Sequence, residues 1–264
     1  MSNDSTLAML DIINGYFKIQ IVHALASLSI ADHLAERPAS LATLAEKTGA
    51  HPDGLRRLVR AAASLGLIEV EANDIFASTP MLDTLRDEAV FRAIAITYGS
   101  ACFWQPWGRL VEAVKTGEAQ SVASLGLPFF DYLAANPAEA SVFNKTMQAS
   151  TQNVQAEVLR LVDTNDVATV ADIGGANGAL VCAIAAANPV LNGIVFDLPH
   201  SLDNAIAYIR REGLADRVKA VSGDFFESVP AADLYLLKYI LHDWDDTQHI
   251  ARPVTGQNTR RFGD

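Results

Sequence analysis

The chain has 264 residues, half of them hydrophobic and 19% charged, with a formal net charge of −11. That length and apolar content allow one large domain or two small ones around a buried core. The acidic balance disfavours nonspecific binding to nucleic acid or to an anionic membrane surface. Two cysteines, Cys102 and Cys182, with no CxxC pair, make no disulfide framework and read as small buried hydrophobes. The start, "MSNDSTLAML", carries no basic n-region or cleavage pattern. No apolar run approaches the ~18 residues that span a bilayer, so the expectation is a soluble cytoplasmic protein.

The first half reads as helical. Apolar residues recur at three- and four-residue spacing through 7–35. A short helix is expected over 41–48, capped by Ser40 and ended by Gly49. A second is expected over 54–65, capped by Asp53 and stopped at Gly66. "LIEVEANDIFAST" then reads as two short strands around a turn at Asn73-Asp74. Helix, turn, helix and hairpin make a winged-helix pattern. Residues 88–115 and 128–162 read as helical again, the latter broken near Asn136-Pro137.

A winged helix suggests DNA, and Arg56, Arg57 and Arg60 on the second helix suit a major groove. Against that, Glu69, Glu71 and Asp74 of the wing would repel phosphates. The apolar surface of 7–35 exceeds what a small domain needs, and a homodimer interface is the natural place to bury it.

The second half changes period. Strands are expected over "VATVADIG", "GIVFDLP", "VKAVSGDFF" and "DLYLLKYIL", with helices over 178–187 and 201–212 between them. Strands alternating with helices imply a parallel α/β sheet. The polar turn 163–166 marks the boundary, giving a helical half over 1–162, a ligand-binding half over 163–250, and a tail, 251–264, whose composition suits disorder.

"VADIGGANG" places Asp172, Gly174, Gly175 and Gly178 at a strand-to-helix turn, where glycine lets a ligand approach the backbone. Ile173 stands where a GxGxxG fingerprint needs glycine, so the turn alone is also compatible with no ligand. The next two strands end in acids, Asp197 and Asp224. Ligands of open α/β sheets bind at the carboxyl ends of strands. Asp197 suits ribose hydroxyls, and Asp224 suits an adenine amino group with Phe225 or Phe226 against the ring. Together the three features point to an adenosine ligand.

With the fourth strand, "VADIGGANG", "FDLPH", "GDFFESVP" and "LLKYILHDWDD" stand in the order and spacing of the class I S-adenosylmethionine-dependent O-methyltransferases. The chain resembles the plant-type and bacterial small-molecule branch of that family, which carries an N-terminal winged-helix dimerisation domain. The likeness extends over roughly 10–248, through "FWQPWGRLVEAVKTGEA" and "FFDYLAANPAEASVFNKTMQAS". It implies a Rossmann-like parallel sheet behind a helical dimerisation domain, S-adenosyl-L-methionine as cofactor and a small hydroxylated acceptor.

By the same resemblance, Gly174 lies at the methionine part of the cofactor and Asp197 holds the ribose. Asp224 and Phe225 flank the adenine, and Lys238 contacts the cofactor side. His242, at the carboxyl end of the fourth strand, is the general base. Ala176 replaces a third glycine found in many relatives. Among Phe103, Trp104, Trp107, Phe129, Phe143 and Met147, the acceptor pocket is assigned first to Phe143 and Met147. Asp243 and Trp244 suit a helix cap and a packing indole.

The resemblance stops near His249. In the family "LHDWDD" opens a helix of several turns and further strands follow, whereas Pro253 and Gly256 interrupt it here. The expectation is therefore an incomplete methyltransferase sheet. "LYLLKYIL" would be left as a long apolar edge, with weak stability or rescue by another chain, and with weak activity or none. Two other readings stay beside the enzyme: a cofactor-binding dimeric scaffold without turnover, and a DNA-binding regulator using 41–80.

Overall fold

The computed structural model describes residues 3–87 and 89–243. The expectations placed on Trp244 and on the tail 251–264 lie outside them. The chain divides into two compact units after Ala149.

In the first unit, helix α1 covers Asn3–Ser27 and α2 covers Ile30–His33. The single run expected over 7–35 is broken because Ser29 takes a left-handed φ of 53°. Its hydroxyl accepts from Arg92, whose guanidinium also pairs with Asp32. Strand β1 (Ala39–Ser40) leads into α3 (Leu41–Thr48), where the Ser40 hydroxyl caps Thr43 N–H at 3.2 Å and Gly49 ends the helix at φ +67°.

Helix α4 covers Pro52–Ser64. It starts earlier than expected because Pro52, with its preset φ and no N–H to satisfy, occupies the first turn. Asp53 therefore sits inside that turn, favourably placed for the helix dipole, and His51 holds the cap position. Strands β2 (Ile68–Glu71) and β3 (Ile75–Ser78) pair around Asn73 and Asp74, both left-handed, and β1 joins on the far side of β3. Arg56 is bound to Asp74 at the wing tip, at 2.8 Å. Leu25, Ile30, Leu44, Val59, Phe76 and Leu82 form the core between these elements.

Helices α5 (Pro80–Asp83), α6 (Val90–Gly99), α7 (Ala101–Trp107), α8 (Leu110–Thr116), α9 (Ser121–Leu125), α10 (Phe129–Ala135) and α11 (Pro137–Leu161) follow. The stretch expected as helix over 88–115 is three helices. Ser100 is extended, and a second break falls at Gly108-Arg109. The break expected at Asn136-Pro137 separates α10 from α11.

The second unit holds β4 (Thr169–Ile173), α12 (Ala179–Ala187), β5 (Asn192–Asp197), α13 (Leu202–Arg211), β6 (Val218–Ser222) and β7 (Leu234–Leu236). The four strands are parallel in the order β6-β5-β4-β7. Val170, Val181, Ile184, Leu191 and Val195 pack between the sheet and α12. Ala171, Ile173 and Phe196 pack on the opposite face. The direction of winding reverses between β4 and β7, which makes their carboxyl ends the switch-point crevice of the sheet.

The fourth strand is shorter than its apolar sequence suggests. Pairing ends at Leu236, and Tyr239 turns the chain with a φ of 58°. The turn carries Ile240 against Gly174, where an ideal Cβ would lie 2.3 Å from Ile240 Cδ1. The long apolar edge expected for "LYLLKYIL" is thus a three-residue strand. His242 does not sit on a strand end. It follows in the short 3-10 turn Leu241–Asp243.

Candidate active site

The glycine turn joins β4 to α12. Gly174 adopts φ +65° and leaves the space that Ile240 fills, so no side chain fits there. Its N–H donates to the Phe196 carbonyl at 2.8 Å. What Gly174 can offer a ligand is therefore its carbonyl, the side where a Cβ would stand being covered by Ile240. Gly178 lets the start of α12 close on β5, since a Cβ there would meet Val195 Cγ2 at 2.5 Å. Ala176 holds a left-handed φ of 47°, a conformation glycine adopts more easily.

Asp197 ends β5 and is fixed from both sides. Its Oδ2 accepts from Ala176 N–H at 2.8 Å, and its Oδ1 accepts from Leu198 N–H at 2.7 Å. Each carboxylate oxygen retains acceptor capacity for a further hydroxyl. The Gly223 N–H donates to the Asp197 carbonyl at 3.1 Å, which ties the end of β6 beside it.

Asp224 follows β6 and closes a tight turn: its Oδ1 accepts from Phe226 N–H at 2.8 Å, and its carbonyl accepts from Glu227 and Ser228. The Phe225 and Phe226 rings lie 4.7 Å apart, tilted by 44°. Phe225 also packs on the sheet face formed by Ala171, Ile173 and Phe196.

Asp172 is the residue whose role the sequence did not reveal. Although it stands in the quoted turn, its neighbours in "VADIG" gave it no distinct chemistry. It is only 4% exposed. Burial pushes its carboxyl up to about 7, opposed by the nearby Lys238 charge and a backbone hydrogen bond and reinforced slightly by Asp197. An acid inside an otherwise apolar strand was the available signal. Burial likewise holds the Lys238 ammonium below the usual lysine value, with Asp172 pulling it back up. Lys238 Nζ also lies 4.0 Å from the Tyr239 ring centroid. β4 and β7 thus bring a buried acid and a half-buried base together at the crevice.

His242 is exposed, and its ring centroid is 5.7 Å from that of Tyr239, edge to face. Phe143 and Met147 belong to the other unit, on α11. Phe143 lies 5.4 Å from Phe129 and 6.2 Å from Phe103, and Phe103 stacks on Tyr98 at 5.2 Å. Met147 is half-buried. Between them, Thr146 meets the Thr97 hydroxyl at 2.7 Å in the interior and locks α11 to α6. Of the remaining candidates, Trp104 packs with Tyr16 and Trp107 is 65% exposed.

The O-methyltransferase domain family matches residues 107–252, and the O-methyltransferase dimerisation domain matches residues 10–86. The phenazine O-methyltransferase PhzM of Lysobacter antibioticus is 37% identical over 245 residues, covering 92% of this chain and 72% of that protein. The solved structure of the mitomycin 7-O-methyltransferase MmcR superposes with a TM-score of 0.86 at 33% identity, over 92% of this chain and 73% of the other. Human N-acetylserotonin methyltransferase, solved in complex with S-adenosylmethionine, gives a TM-score of 0.82 at 26% identity, over 94% and 74% of the two chains. Parallel sheet, glycine turn and helical N-terminal unit all agree with these matches. The chain belongs to the S-adenosylmethionine-dependent O-methyltransferases that carry an N-terminal O-methyltransferase dimerisation domain.

Proposed function

We propose that the chain methylates a hydroxyl of a small aromatic metabolite, with His242 as general base, and that it works as a cytoplasmic homodimer. The observation that carries the cofactor half of this reading is the convergence of Gly174, Asp197 and Asp224 at neighbouring strand ends. Asp197 is held by two backbone amides and still has lone pairs for vicinal hydroxyls. The donor set suits an adenosine ligand: an acid for the ribose, then Asp224 and the Phe225 ring for the adenine. Gly174 offers its carbonyl to the methionine part, and Lys238 contacts the cofactor side.

When bound, S-adenosyl-L-methionine supplies an electrophilic methyl group on a sulfonium. The protein's own residues then have two tasks. His242 takes the proton from the acceptor hydroxyl as the oxygen attacks; a phenol with pKa near ~10 is within reach of a neutral imidazole. Phe143 and Met147, flat and adaptable surfaces in turn, hold the acceptor in line, and alignment alone lowers such barriers by several kcal/mol. Domain roles follow: the helical part to residue 162 dimerises and shapes the acceptor pocket, and 163–250 binds the cofactor.

Calorimetry with S-adenosylmethionine and S-adenosylhomocysteine, followed by turnover on a panel of phenols, tests the reading. His242→Ala should abolish turnover and leave cofactor affinity unchanged. Full turnover by that variant would remove the base assignment. Absence of cofactor binding by the folded chain would remove the site.

A further inference from the structure

The aromatic cluster of the first unit is held by a polar knot that the chemistry above does not use. Glu139, in the first turn of α11, is half-buried. Its Oε1 accepts from the Tyr132 hydroxyl at 2.8 Å, and its Oε2 faces the Cys102 N–H at 3.4 Å. These contacts join three helices at one carboxylate: α10 through Tyr132, α7 through Cys102, and α11 through Glu139 itself.

Each partner stands next to a ring of the cluster. Cys102 precedes Phe103. Tyr132 lies one turn after Phe129 on α10. Phe143 lies one turn after Glu139 on α11, on the same face. The rings themselves meet at 5.4–6.2 Å between centroids, edge-on or tilted rather than stacked flat. Such contacts tolerate sliding, so ring packing by itself does not fix the spacing of the helices. A carboxylate with a short bond from the Tyr132 hydroxyl and a longer one from the Cys102 N–H restrains it, because hydrogen bonds to a charged acceptor are directional.

The Tyr132 arm of the knot is engaged. The hydrogen bond to Glu139 is the main cause of the upward shift of the Tyr132 phenol, so the contact favours the protonated hydroxyl as donor. Beside it, Cys102 is almost fully buried, with its thiol 3.1 Å from the Ser100 hydroxyl and raised above its usual value chiefly by burial. A cavity of about 190 Å³ adjoins the knot, lined by Ile96, Thr97, Ser100, Glu139 and Val142. That space lies between α6 and the start of α11, beside the carboxylate.

We infer that Glu139 is a positioning residue of the acceptor pocket: by holding Tyr132 and Cys102 it sets the spacing of Phe103, Phe129 and Phe143, and so decides which flat acceptors the pocket admits. The inference rests on the aromatic-acceptor reading above, through Phe143. It assigns Glu139 no contact with the acceptor and no part in proton transfer.

The test uses the full chain with S-adenosylhomocysteine and 2-naphthol as the acceptor probe, whose own fluorescence reports binding. Near-ultraviolet circular dichroism gives a ligand-free readout of ring packing. Glu139→Ala and Tyr132→Phe should each weaken 2-naphthol binding about tenfold, the low end of the effect of losing one charge-assisted hydrogen bond, because the bond acts on the probe only through the rings. Both should change the near-ultraviolet spectrum while S-adenosylhomocysteine affinity stays constant. Glu139→Gln keeps one neutral acceptor, enough for Tyr132 but not for Cys102 as well, and should recover part of both signals. If Phe143→Ala weakens probe binding but Glu139→Ala leaves binding and spectrum unchanged, the positioning role is wrong and the acceptor wall stands. If neither variant weakens it, or the unaltered chain does not bind 2-naphthol, the aromatic wall and the inference fall together.

Discussion

The Ala176 N–H donates to Asp197 Oδ2 at 2.8 Å, linking the turn after β4 to the last residue of β5. This bond orients the acid assigned to the ribose, and it requires Ala176 to stay left-handed at φ 47°. A left-handed alanine costs ~1 kcal/mol. Glycine would relieve that cost but lose a similar amount through the freedom of the unfolded chain. Ala176→Gly should therefore leave thermal stability and cofactor affinity close to those of the parent. Ala176→Val, whose branched side chain resists positive φ, should lower both. Asp197→Ala should weaken S-adenosylhomocysteine at least ~10-fold in calorimetry, the effect of losing a charged acceptor for bound hydroxyls. Undiminished affinity in Asp197→Ala would move the ribose site elsewhere.

Arg217 supports the same sheet from the opposite end. One terminal nitrogen donates to the carbonyls of Ala185, Asn188 and Leu191, at 2.9, 3.2 and 2.9 Å. These carbonyls stand where α12 ends and the chain turns into β5, that of Asn188 also accepting from the Leu191 N–H, and a cation there also matches the helix dipole. Arg217→Met keeps most of the side-chain volume and removes the donor. It should destabilise the chain by about 2–3 kcal/mol, the usual loss when a charged donor leaves half-buried acceptors unmade. Chemical denaturation monitored by far-ultraviolet circular dichroism measures this directly, and a change under about 0.5 kcal/mol would show that water replaces the arginine at no cost.

Much of the fold was legible because its signals are local. Ser40 before α3, Gly49 after it, and Asn73-Asp74 between β2 and β3 act within a few residues of where they stand. That the four strands lie parallel followed from the alternation of strands and helices. The end of β7 was not legible. "LYLLKYI" is apolar except for Lys238, and the chain leaves the strand where Ile240 fits against Gly174, a contact between distant parts of the sequence. The chemistry divided the same way. Asp197 follows an apolar run and announces itself as a strand-end acid, whereas Asp224, expected at a strand end, stands two residues beyond β6. Asp172 looks like one more residue of β4 until neighbouring strands bury it, and Glu139 looks like an ordinary helix-starting acid until α7 and α10 bring Cys102 and Tyr132 to it.

Helix α1 presents Leu10, Ile12, Ile13, Tyr16 and Phe17 to solvent, with Ile12 72% and Ile13 59% exposed. A contiguous apolar surface of this kind marks an interface, and it lies within the match to the dimerisation domain. A second copy is the proposed occupant, and a stable dimer of ordinary size needs roughly 800 Å² from each partner. Replacing Ile12 and Ile13 together by Asp should give a folded monomer, because neither side chain belongs to the core. Sedimentation velocity at micromolar concentration distinguishes the outcomes. A double variant that sediments as a dimer would place the interface elsewhere.

Asp172 gives the chain a specific pH response. Its folded-state carboxyl is raised from 3.8 to about 7, chiefly by burial. The folded chain therefore holds a proton that the unfolded chain has already released between those values. The stabilising contribution is complete below the unfolded value and is lost as pH rises through about 7. Lys238 works in the alkaline range with the opposite slope. Its folded-state value lies below 10.5, so stability from this group rises with pH between the two. Asp172→Asn removes the acidic-to-neutral component while leaving a polar group of similar size. Thermal melts between about pH 5 and about pH 8 should show the parent losing stability relative to Asp172→Asn as pH increases, since only the parent must ionise a buried acid. Lys238→Met with Asp172 retained should carry the decline to higher pH, because the cation that tempers the cost of ionisation is gone. Parallel pH profiles for parent and Asp172→Asn would show that this carboxyl ionises as easily as one in water, and the crevice between β4 and β7 would then be wetter than its packing implies.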